Sequence, residues 1–219
     1  MDYDLLKENN TAKIAGTICE QPTVSHQIDG ENFLDFAVRV QRLSKAEDII
    51  PVTISERAIG EEIKLGDRVI LTGQYRSHNK NINDKNRLIL HFFAKDVEKD
   101  EKGEEVNYVK LVGFICKKPV YRTTPFNREI CDVLLAVNRT NYHRSDYIPC
   151  ILWGRNARFV STLPVGSKLE LEGRIQSRKY TKQNEEGKTE ERTAYEVSCG
   201  RVAILSNDLV KKEAENEIM

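Results

Sequence analysis

The chain has 219 residues, of which 39% are hydrophobic and 31% are Lys, Arg, Asp or Glu, and its formal net charge is zero. This length allows one or two domains, and the apolar residues fall in strand-length clusters, which argues against a wholly disordered chain. No apolar run approaches the ~20 residues of a membrane span, and residues 1–10 lack the apolar core of a signal peptide. We therefore expect a cytoplasmic protein with no membrane partner.

The cysteines indicate a reducing compartment. They are odd in number, form no C-x-x-C pair and mostly lie inside apolar strand patterns, so we expect buried free thiols. A zinc site needs ligands at short spacings, and the cysteines show no such cluster, so we expect no metal site and no cofactor. They are Cys19, Cys116, Cys131, Cys150 and Cys199.

The chain contains one pattern twice. The segment AGTIC at 15–19 recurs as VGFIC at 112–116, and LGDRVILTG at 65–73 corresponds to VGSKLELEG at 165–173. A repeat of this length indicates duplicated domains. The same register matches Pro22 with Pro119, Asp35 with Asp132, and Arg42 with Arg139.

A charged segment separates the two copies. Residues 98–105 are almost all charged and have no apolar anchor, which predicts a solvated linker at about 99–106. We therefore predict a first domain at 10–98, a second domain at 107–205 and a flexible tail at 206–219.

Each repeat is predicted to be mostly β-structure. In the second, residues 154–161 break the alternation of the strands, which indicates one short helix, and a polar loop follows at 181–191. Five strands with a helix between the third and fourth is the order of an oligonucleotide-binding (OB) fold, a Greek-key barrel, although periodicity alone also allows another small barrel. The predicted fold class is all-β, with two tandem OB-folds, each with one short helix between strands 3 and 4. The strands of the second repeat begin near 109, 129, 146, 168 and 192.

The second repeat places aromatic and basic side chains on an outward strand face. Alternation turns Tyr147 and Trp153 outward, and the fourth strand ends in an outward Arg174, Arg178 and Tyr180 with Lys179 and Lys182 beside them. Rings stack on bases and Lys or Arg neutralise phosphates, which is what binding of a single nucleic-acid strand needs. The alternative is that Tyr147 and Trp153 pack under the helix or in an interface.

Charge separates the two halves. Residues 107–205 hold 17 Lys and Arg against 10 Asp and Glu, a net +7, whereas residues 10–98 hold 12 against 13, a net −1. The neutral total therefore conceals one basic domain, as expected for a nucleic-acid partner.

With these residues in view, the second repeat resembles the bacterial single-stranded-DNA-binding protein family. The matching strings are NYVKLVGFI at 107–115, LAVNR at 135–139, DYIPCILWG at 146–154 and VGSKLELEGRIQSRKY at 165–180. The resemblance implies that the aromatic rings Tyr147, Trp153 and Tyr180 stack on bases, with Tyr142 as a fourth. The cations predicted to bind the strand are Arg174, Arg178 and Lys179 from the outward row, together with Arg139 and with Arg122, which stands where the family has an arginine after its first strand.

The first repeat resembles the family more faintly. Ile49 and Ser55 stand where the second repeat has Tyr147 and Trp153, and His-Asn-Lys at 78–80 replaces Arg-Lys-Tyr. We expect a degenerate ligand face there, hence a weaker binder or an assembly domain.

The resemblance also implies partners and assembly. Members with two barrels per chain form dimers, so we predict a homodimer with four barrels, located in the nucleoid and active in DNA replication, recombination or repair. Replication and repair proteins are expected partners, although residues 206–219 lack the family's Gly-rich stretch and closing Pro-Phe.

Three other functions are weighed against single-stranded DNA binding. Catalysis is not expected, because the histidines are scattered and no phosphate-binding G-x-x-x-x-G-K-[ST] loop occurs. A primosome-type interaction module with weak nucleic-acid binding fits the first repeat better than the second. RNA binding stays open, because stacking platforms accept both sugars.

Overall fold

The computed structural model describes residues 8–82, 85–139, 144–183, 187 and 189–205. The first repeat forms six strands, and a 3-10 turn at Glu56–Ala58 follows the fourth. Its strands are β1 (Asn10–Ile18), β2 (Thr23–Ile28), β3 (Glu31–Gln41), β4 (Glu47–Ser55), β5 (Arg68–Ile82) and β6 (Lys85–Lys99).

The second repeat has the same strand order. An α-helix, α1 (Gly154–Ser161), takes the place of the 3-10 turn and buries Ala157 and Val160. The strands are β7 (Asn107–Ile115), β8 (Val120–Thr123), β9 (Glu129–Asn138), β10 (Ser145–Trp153), β11 (Lys168–Gln183) and β12 (Thr189–Ile204).

Each repeat closes into a barrel. In the first, β1 pairs with both β3 and β5, β3 pairs with β4, and β6 lies parallel to β4 and antiparallel to β5. The second repeat has the equivalent pairings of β7, β9, β10, β12 and β11. The predicted all-β fold of two tandem OB barrels is therefore confirmed. Each barrel carries one short strand beyond the five expected, β2 or β8, which pairs only with its neighbour.

The hairpins β5–β6 and β11–β12 are longer than the sequence indicates. The loop predicted at 181–191 is instead paired strand on both sides, because Thr181 lies opposite Glu191 and Lys182 opposite Glu190. A bulge bends each hairpin at its glycine, Gly73 or Gly173. A Cβ on either would lie 2.1–2.2 Å from a backbone carbonyl oxygen of the opposite strand, so no other residue fits there.

The two barrels are joined through their first strands. β1 pairs antiparallel with β7, with Asn10 opposite Leu111 and Ile14 opposite Asn107. Because residues 10 and 107 are equivalent in the repeat, this pairing has approximate two-fold symmetry. The apolar side chains of both barrels consequently form one continuous buried core.

A buried ion pair of the second repeat, Arg139–Asp146, also forms hydrogen bonds to the first repeat. Arg139 donates through Nε and Nη2 to the Asp146 carboxylate at 2.9 and 2.7 Å, and Nη2 reaches the Ser77 carbonyl oxygen of β5 at 3.1 Å. The Ser77 backbone N–H donates to Asp146 at 2.7 Å, and the Ser77 hydroxyl accepts from the Tyr147 N–H, also at 2.7 Å. The hydrogen bond to Asp146 raises the pKa of Arg139. We call this arrangement an Arg–Asp–Ser junction.

The same junction occurs again with the repeats exchanged. Arg42 donates to Asp48 at 2.7 and 2.5 Å and to the Ser177 carbonyl oxygen at 3.0 Å. The Ser177 N–H donates to Asp48 at 2.6 Å, and the Ser177 hydroxyl accepts from the Ile49 N–H at 3.2 Å. Asp48 and Asp146 are both fully buried. Two ion pairs related by the internal symmetry therefore hold the barrels together.

The segment between the barrels is mostly exposed and is held at one residue, Asp100. The Asp100 side chain is buried, and its carboxylate accepts hydrogen bonds from the backbone N–H groups of Lys102, Gly103 and Glu104 and from Arg68. Burial opposes ionisation of Asp100, but the hydrogen bonds from Glu104, Arg68 and Gly103 outweigh it and lower its pKa. A single carboxylate thus holds a turn that has no apolar anchor.

Candidate nucleic-acid interface

Trp153 lies at the rim of the second barrel. It ends β10, and Gly154, with φ of 55°, turns the chain into α1. The indole Nε1 donates to the Ser198 hydroxyl on β12 at 3.2 Å, which holds the ring with 38% of the residue exposed. Trp153, Ser198 and Arg174 line a recess of about 470 Å³. The predicted ring and one predicted cation therefore share one concave surface.

Tyr147 projects from the same strand toward the other barrel. It lies six residues before Trp153 and is 42% exposed. Because side chains alternate at ~3.3 Å per residue, the two rings share one face at a separation of roughly 20 Å along β10. The Ser77 hydroxyl accepts from the Tyr147 backbone N–H, so this part of β10 lies where the repeats meet.

Tyr180 lies on the extended hairpin β11–β12. The Arg178 guanidinium carbon is 5.8 Å from its ring centroid. Tyr180 and Arg192 line one side of a groove of about 1060 Å³, and hairpin β5–β6 of the first repeat lines the other. Lys179 points to the opposite side of β11 and pairs with Glu191 at 2.8 Å, which raises its pKa.

The remaining predicted cations are Arg122, Arg174 and Arg139, and each has a different environment. Arg122 pairs with Asp132 at 2.7 and 3.2 Å and is half exposed on the β8–β9 hairpin. Arg174 donates to Gln176 and lies 3.6 Å from the buried Asp48 carboxylate, and its burial lowers its pKa.

We call the surface carrying Tyr147, Trp153, Arg174, Arg178 and Tyr180 the aromatic face.

Arg139 is not part of the aromatic face. Its guanidinium is bound to Asp146 and to the Ser77 carbonyl oxygen, with 23% of its side chain exposed. The matching Arg42 has the same environment, so the repeated Arg is a feature of the junction between barrels. Tyr142 lies outside the described residues.

Two features of this surface escape sequence reasoning. Ser198, which positions the Trp153 ring, carries no signal in the strand pattern. The groove beside Tyr180 depends on a strand contributed by the other repeat. Among the described residues, no group of three or more His, Cys, Asp or Glu comes together as metal ligands.

Comparison with known proteins agrees with this geometry. The model of the Single-strand binding protein family matches residues 106–205. Single-stranded DNA-binding protein B of Bacillus subtilis (strain 168) is 39% identical over 87 residues, which cover 37% of this chain and 75% of that protein.

The chain belongs to the single-strand binding protein family. Single-stranded DNA-binding protein 1 of Staphylococcus aureus (strain COL) is 40% identical over 106 residues, covering 46% of this chain and 61% of that protein. Single-stranded DNA-binding protein A of Bacillus subtilis (strain 168) is 39% identical over 84 residues, covering 36% of this chain and 49% of that protein. The chain thus spans half to three fifths of the length of these two relatives.

The tandem arrangement has a match among solved structures of this family. The wild-type single-stranded DNA binding protein from Thermus aquaticus superposes with a TM-score of 0.69 at 21% identity, over 90% of this chain and 93% of that one. This similarity covers both barrels and concerns the fold. Among the residues described, no helical segment has the length or the apolar character needed to cross a bilayer.

Proposed function

We propose that this member of the single-strand binding protein family binds single-stranded DNA without strong sequence preference and without catalysis. The observation that carries the proposal is the recess in which the exposed Trp153 ring stands beside Arg174. A base stacking on the ring brings its phosphate within reach of a guanidinium, which is the combination that sequence-tolerant binding uses. The names of the relatives support the same ligand.

We assign the residues of the second repeat separate roles. Trp153, Tyr147 and Tyr180 stack on bases, with Tyr142 as a fourth ring. Arg174 and Arg178 contact phosphates on the aromatic face, and Arg122 and Lys179 contact phosphates beyond its edge. Arg139 instead acts through the junction, because its guanidinium already holds Asp146 and Ser77.

The biological role follows from that ligand. Protection of exposed single strands serves DNA replication, recombination and repair, and the proteins of those processes are the partners we propose. A cytoplasmic, nucleoid-associated location stays a prediction. The primosome-type interaction module is less favoured, because the relatives that match this chain carry the name of single-stranded DNA-binding proteins.

Fluorescence of Trp153 tests the proposal directly, because it is the only Trp in the chain. We expect poly-dT to quench it with saturation at a fixed number of nucleotides per chain. Binding should weaken between ~50 and ~200 mM salt, since phosphate neutralisation releases counterions. Duplex DNA should compete poorly, and RNA of the same length measures the preference for the sugar.

Trp153→Phe with an external label on the oligonucleotide controls for the optical probe. The variant keeps a ring and should bind with an affinity close to that of the unmodified chain. Absence of quenching together with absence of binding to labelled poly-dT would overturn the proposal and favour an interaction scaffold.

We also propose a homodimer with four barrels. Strands β5, β1, β7 and β11 form one continuous sheet across both repeats, and the outer side carries Tyr108, which is 41% exposed. A second copy could cover this surface. Light scattering should give twice the chain mass of 25.2 kDa, and a monomer at micromolar concentration would contradict the proposal.

A further inference from the structure

The first repeat carries a row of flat groups on its outward surface. The rings of His26 and Phe33 stack with centroids 4.9 Å apart and planes 7° apart. Phe33 contacts Phe93 at 6.2 Å, and the Arg76 guanidinium carbon lies 3.8 Å from the Phe93 centroid. Phe33, Phe93 and Arg76 are half-buried and His26 is exposed. We call this set the first-repeat stack.

The stack occupies the place that Trp153 has in the second repeat. Thr53 on β4 pairs with Phe93 on β6 in the register in which Ile151 pairs with Ser198. The residue two positions after Thr53 is Ser55, and two positions after Ile151 is Trp153. Where the second repeat has a Trp on the third strand facing a Ser, the first therefore has a Ser facing a Phe. The ring is retained, but on the opposite strand.

The cation beside the ring has been exchanged in the same way. In the second repeat Arg174 donates to Gln176 at 3.3 Å. In the first, Gln74 stands at the position of Arg174 and accepts two hydrogen bonds from Arg76 at 3.0 and 2.7 Å. Both faces therefore present a guanidinium oriented by a Gln two residues away. An alignment of the two repeats shows only that Ser55 replaces Trp153 and Gln74 replaces Arg174, and it misses the ring and the guanidinium that the neighbouring positions supply.

The hairpin that continues from the stack is cationic. Outward pairs along β5–β6 place Arg76 opposite His91, Lys80 opposite Arg87, and Ile82 opposite Lys85. Although the first repeat has a net charge of −1, no acidic residue occurs among the outward pairs from Gln74–Phe93 to Ile82–Lys85. Within these pairs, the outward side of the hairpin therefore carries cations without a carboxylate of its own, although the Asp35 carboxylate of β3 lies near His78 and His91.

The same hairpin reaches the second repeat. Lys85, Arg87 and Ile89 line the groove of about 1060 Å³ whose other side carries Tyr180 and Arg192. A strand leaving Tyr180 thus meets cations of the first repeat before the stack. Among its described lining residues, the groove also holds one acidic residue, Glu190, which pairs with Arg192 at 2.7 Å, and the remaining charged side chains are cations. The aromatic face and the first-repeat stack lie at the two ends of this groove.

We propose that the first repeat is a second binding site for the same single strand, reached from Tyr180 through the inter-hairpin groove. Bases stack on the plane formed by Arg76 and Phe93, and Lys80, Arg87 and Lys85 neutralise phosphates. This inference rests on the proposed function, because it needs a strand already bound by the second repeat.

A relocated reporter tests the site. In the double variant Trp153→Phe/Phe93→Trp the only Trp lies in the first repeat. We expect oligo-dT to quench it with saturation, and the quenching to weaken with salt. Adding Arg76→Gln should lower the affinity seen by this reporter at least about fivefold. Lys64→Gln removes the same charge from the loop before β5, outside the stack, and should change affinity less than about twofold.

A second measurement keeps Trp153 in place and reports on the aromatic face alone. Oligonucleotides of about 10 and about 20 nucleotides are chosen to fill one barrel or the two barrels of one chain. The longer one should bind more tightly, because the first contact raises the effective concentration of the rest of the strand at the second site. Arg76→Gln should remove most of that gain without changing the affinity for the shorter one.

The outcomes separate the two proposals. Quenching of Trp153 without quenching of the relocated reporter, or a length gain that survives Arg76→Gln, overturns the second site and leaves the proposed function standing. If neither Trp responds and labelled oligonucleotides do not bind, both proposals fail. Thermal unfolding of each variant shows that the comparison is made on folded chains.

Discussion

The two repeats share a barrel but differ in the surface they present. Both close through the same pairings, both bend at a glycine bulge and both contribute an Arg–Asp–Ser junction. Their outward faces carry different rings, and their net charges are −1 and +7. Buried residues and junction residues keep their sequence positions, because each contacts one particular partner. A ring on the outward face can come from either of two neighbouring strands, because it needs only to reach the same part of the surface.

A residue can be lost from one position while a neighbouring position supplies the same type of side chain to the surface. Ser55 replaces Trp153 in the alignment, yet Phe93 brings a ring to the same part of the face from the neighbouring strand. Paired strands offer two backbone positions for one surface site. A duplicated barrel can therefore exchange the positions while the face keeps its character.

The largest expected effect comes from breaking a junction. Asp146→Ala leaves the half-buried Arg139 without its carboxylate and the Ser77 N–H without an acceptor. Removing one partner of a buried pair costs about 3–5 kcal/mol, and Asp48→Ala should cost a similar amount because its junction is equivalent. Urea unfolding measures both.

A half-exposed ion pair provides the control for the junctions. Asp132→Ala removes the partner of Arg122, where both side chains are partly exposed, and should cost less than about 1 kcal/mol. Junction variants no more costly than this control would contradict a stabilising role for the junctions.

The next effect is a pH dependence of the unfolding free energy that arises from His91 of the first repeat. Burial, His78 and Arg76 lower the pKa of His91 to about 4, while Asp35 and Asp146 act in the opposite direction. The unfolded chain binds a proton at this ring below about pH 6.5 and the folded chain does not. Stability should therefore fall by up to about 3 kcal/mol as the pH decreases from 6.5 to 4.

The control for this prediction is His91→Gln, compared with the unmodified chain by urea unfolding at each pH. The variant keeps the carboxylates that also titrate, so only the difference between the two curves belongs to His91. Parallel curves would show that His91 is protonated in the folded chain.

A smaller effect concerns the ligand. Trp153→Ala removes the ring from the recess and should weaken binding of labelled oligo-dT by about 1–3 kcal/mol, or roughly 5- to 150-fold. Fluorescence anisotropy measures it. Phe126→Ala removes another exposed ring, 87% accessible and outside the aromatic face, and should leave binding unchanged. Equal losses in both variants would argue against stacking at Trp153.

The smallest effect exploits a difference between the two cores. Tyr75 is fully buried, and its hydroxyl has no hydrogen-bond partner among the described residues, whereas the equivalent Ile175 is apolar. Asn10 binds the Tyr75 backbone as Asn107 binds that of Ile175, so the substitution leaves the backbone contact intact. Tyr75→Phe should raise the unfolding free energy by about 1 kcal/mol. A loss of stability would indicate that the hydroxyl has a partner.

The sequence by itself determined the strand pattern, the OB order, the duplication and the exposure of Tyr147 and Trp153. These follow from alternation, which is local: a strand places every second residue on the same side wherever it lies in the fold. The bend at Gly173 was also predictable, because a mid-strand glycine has few other uses in a barrel.

Only the tertiary structure decided which residues Arg139 and Phe93 contact. Arg139 follows a strand among other cations, as a phosphate-binding residue would, and its role depends on the Ser77 carbonyl oxygen, 62 residues away in the other barrel. Phe93 became a candidate once the parallel pairing of β4 and β6 placed it opposite Thr53, as Ser198 lies opposite Ile151 in the second repeat. Both contacts depend on pairings between distant strands, and periodicity along the chain carries no information about which strands those are.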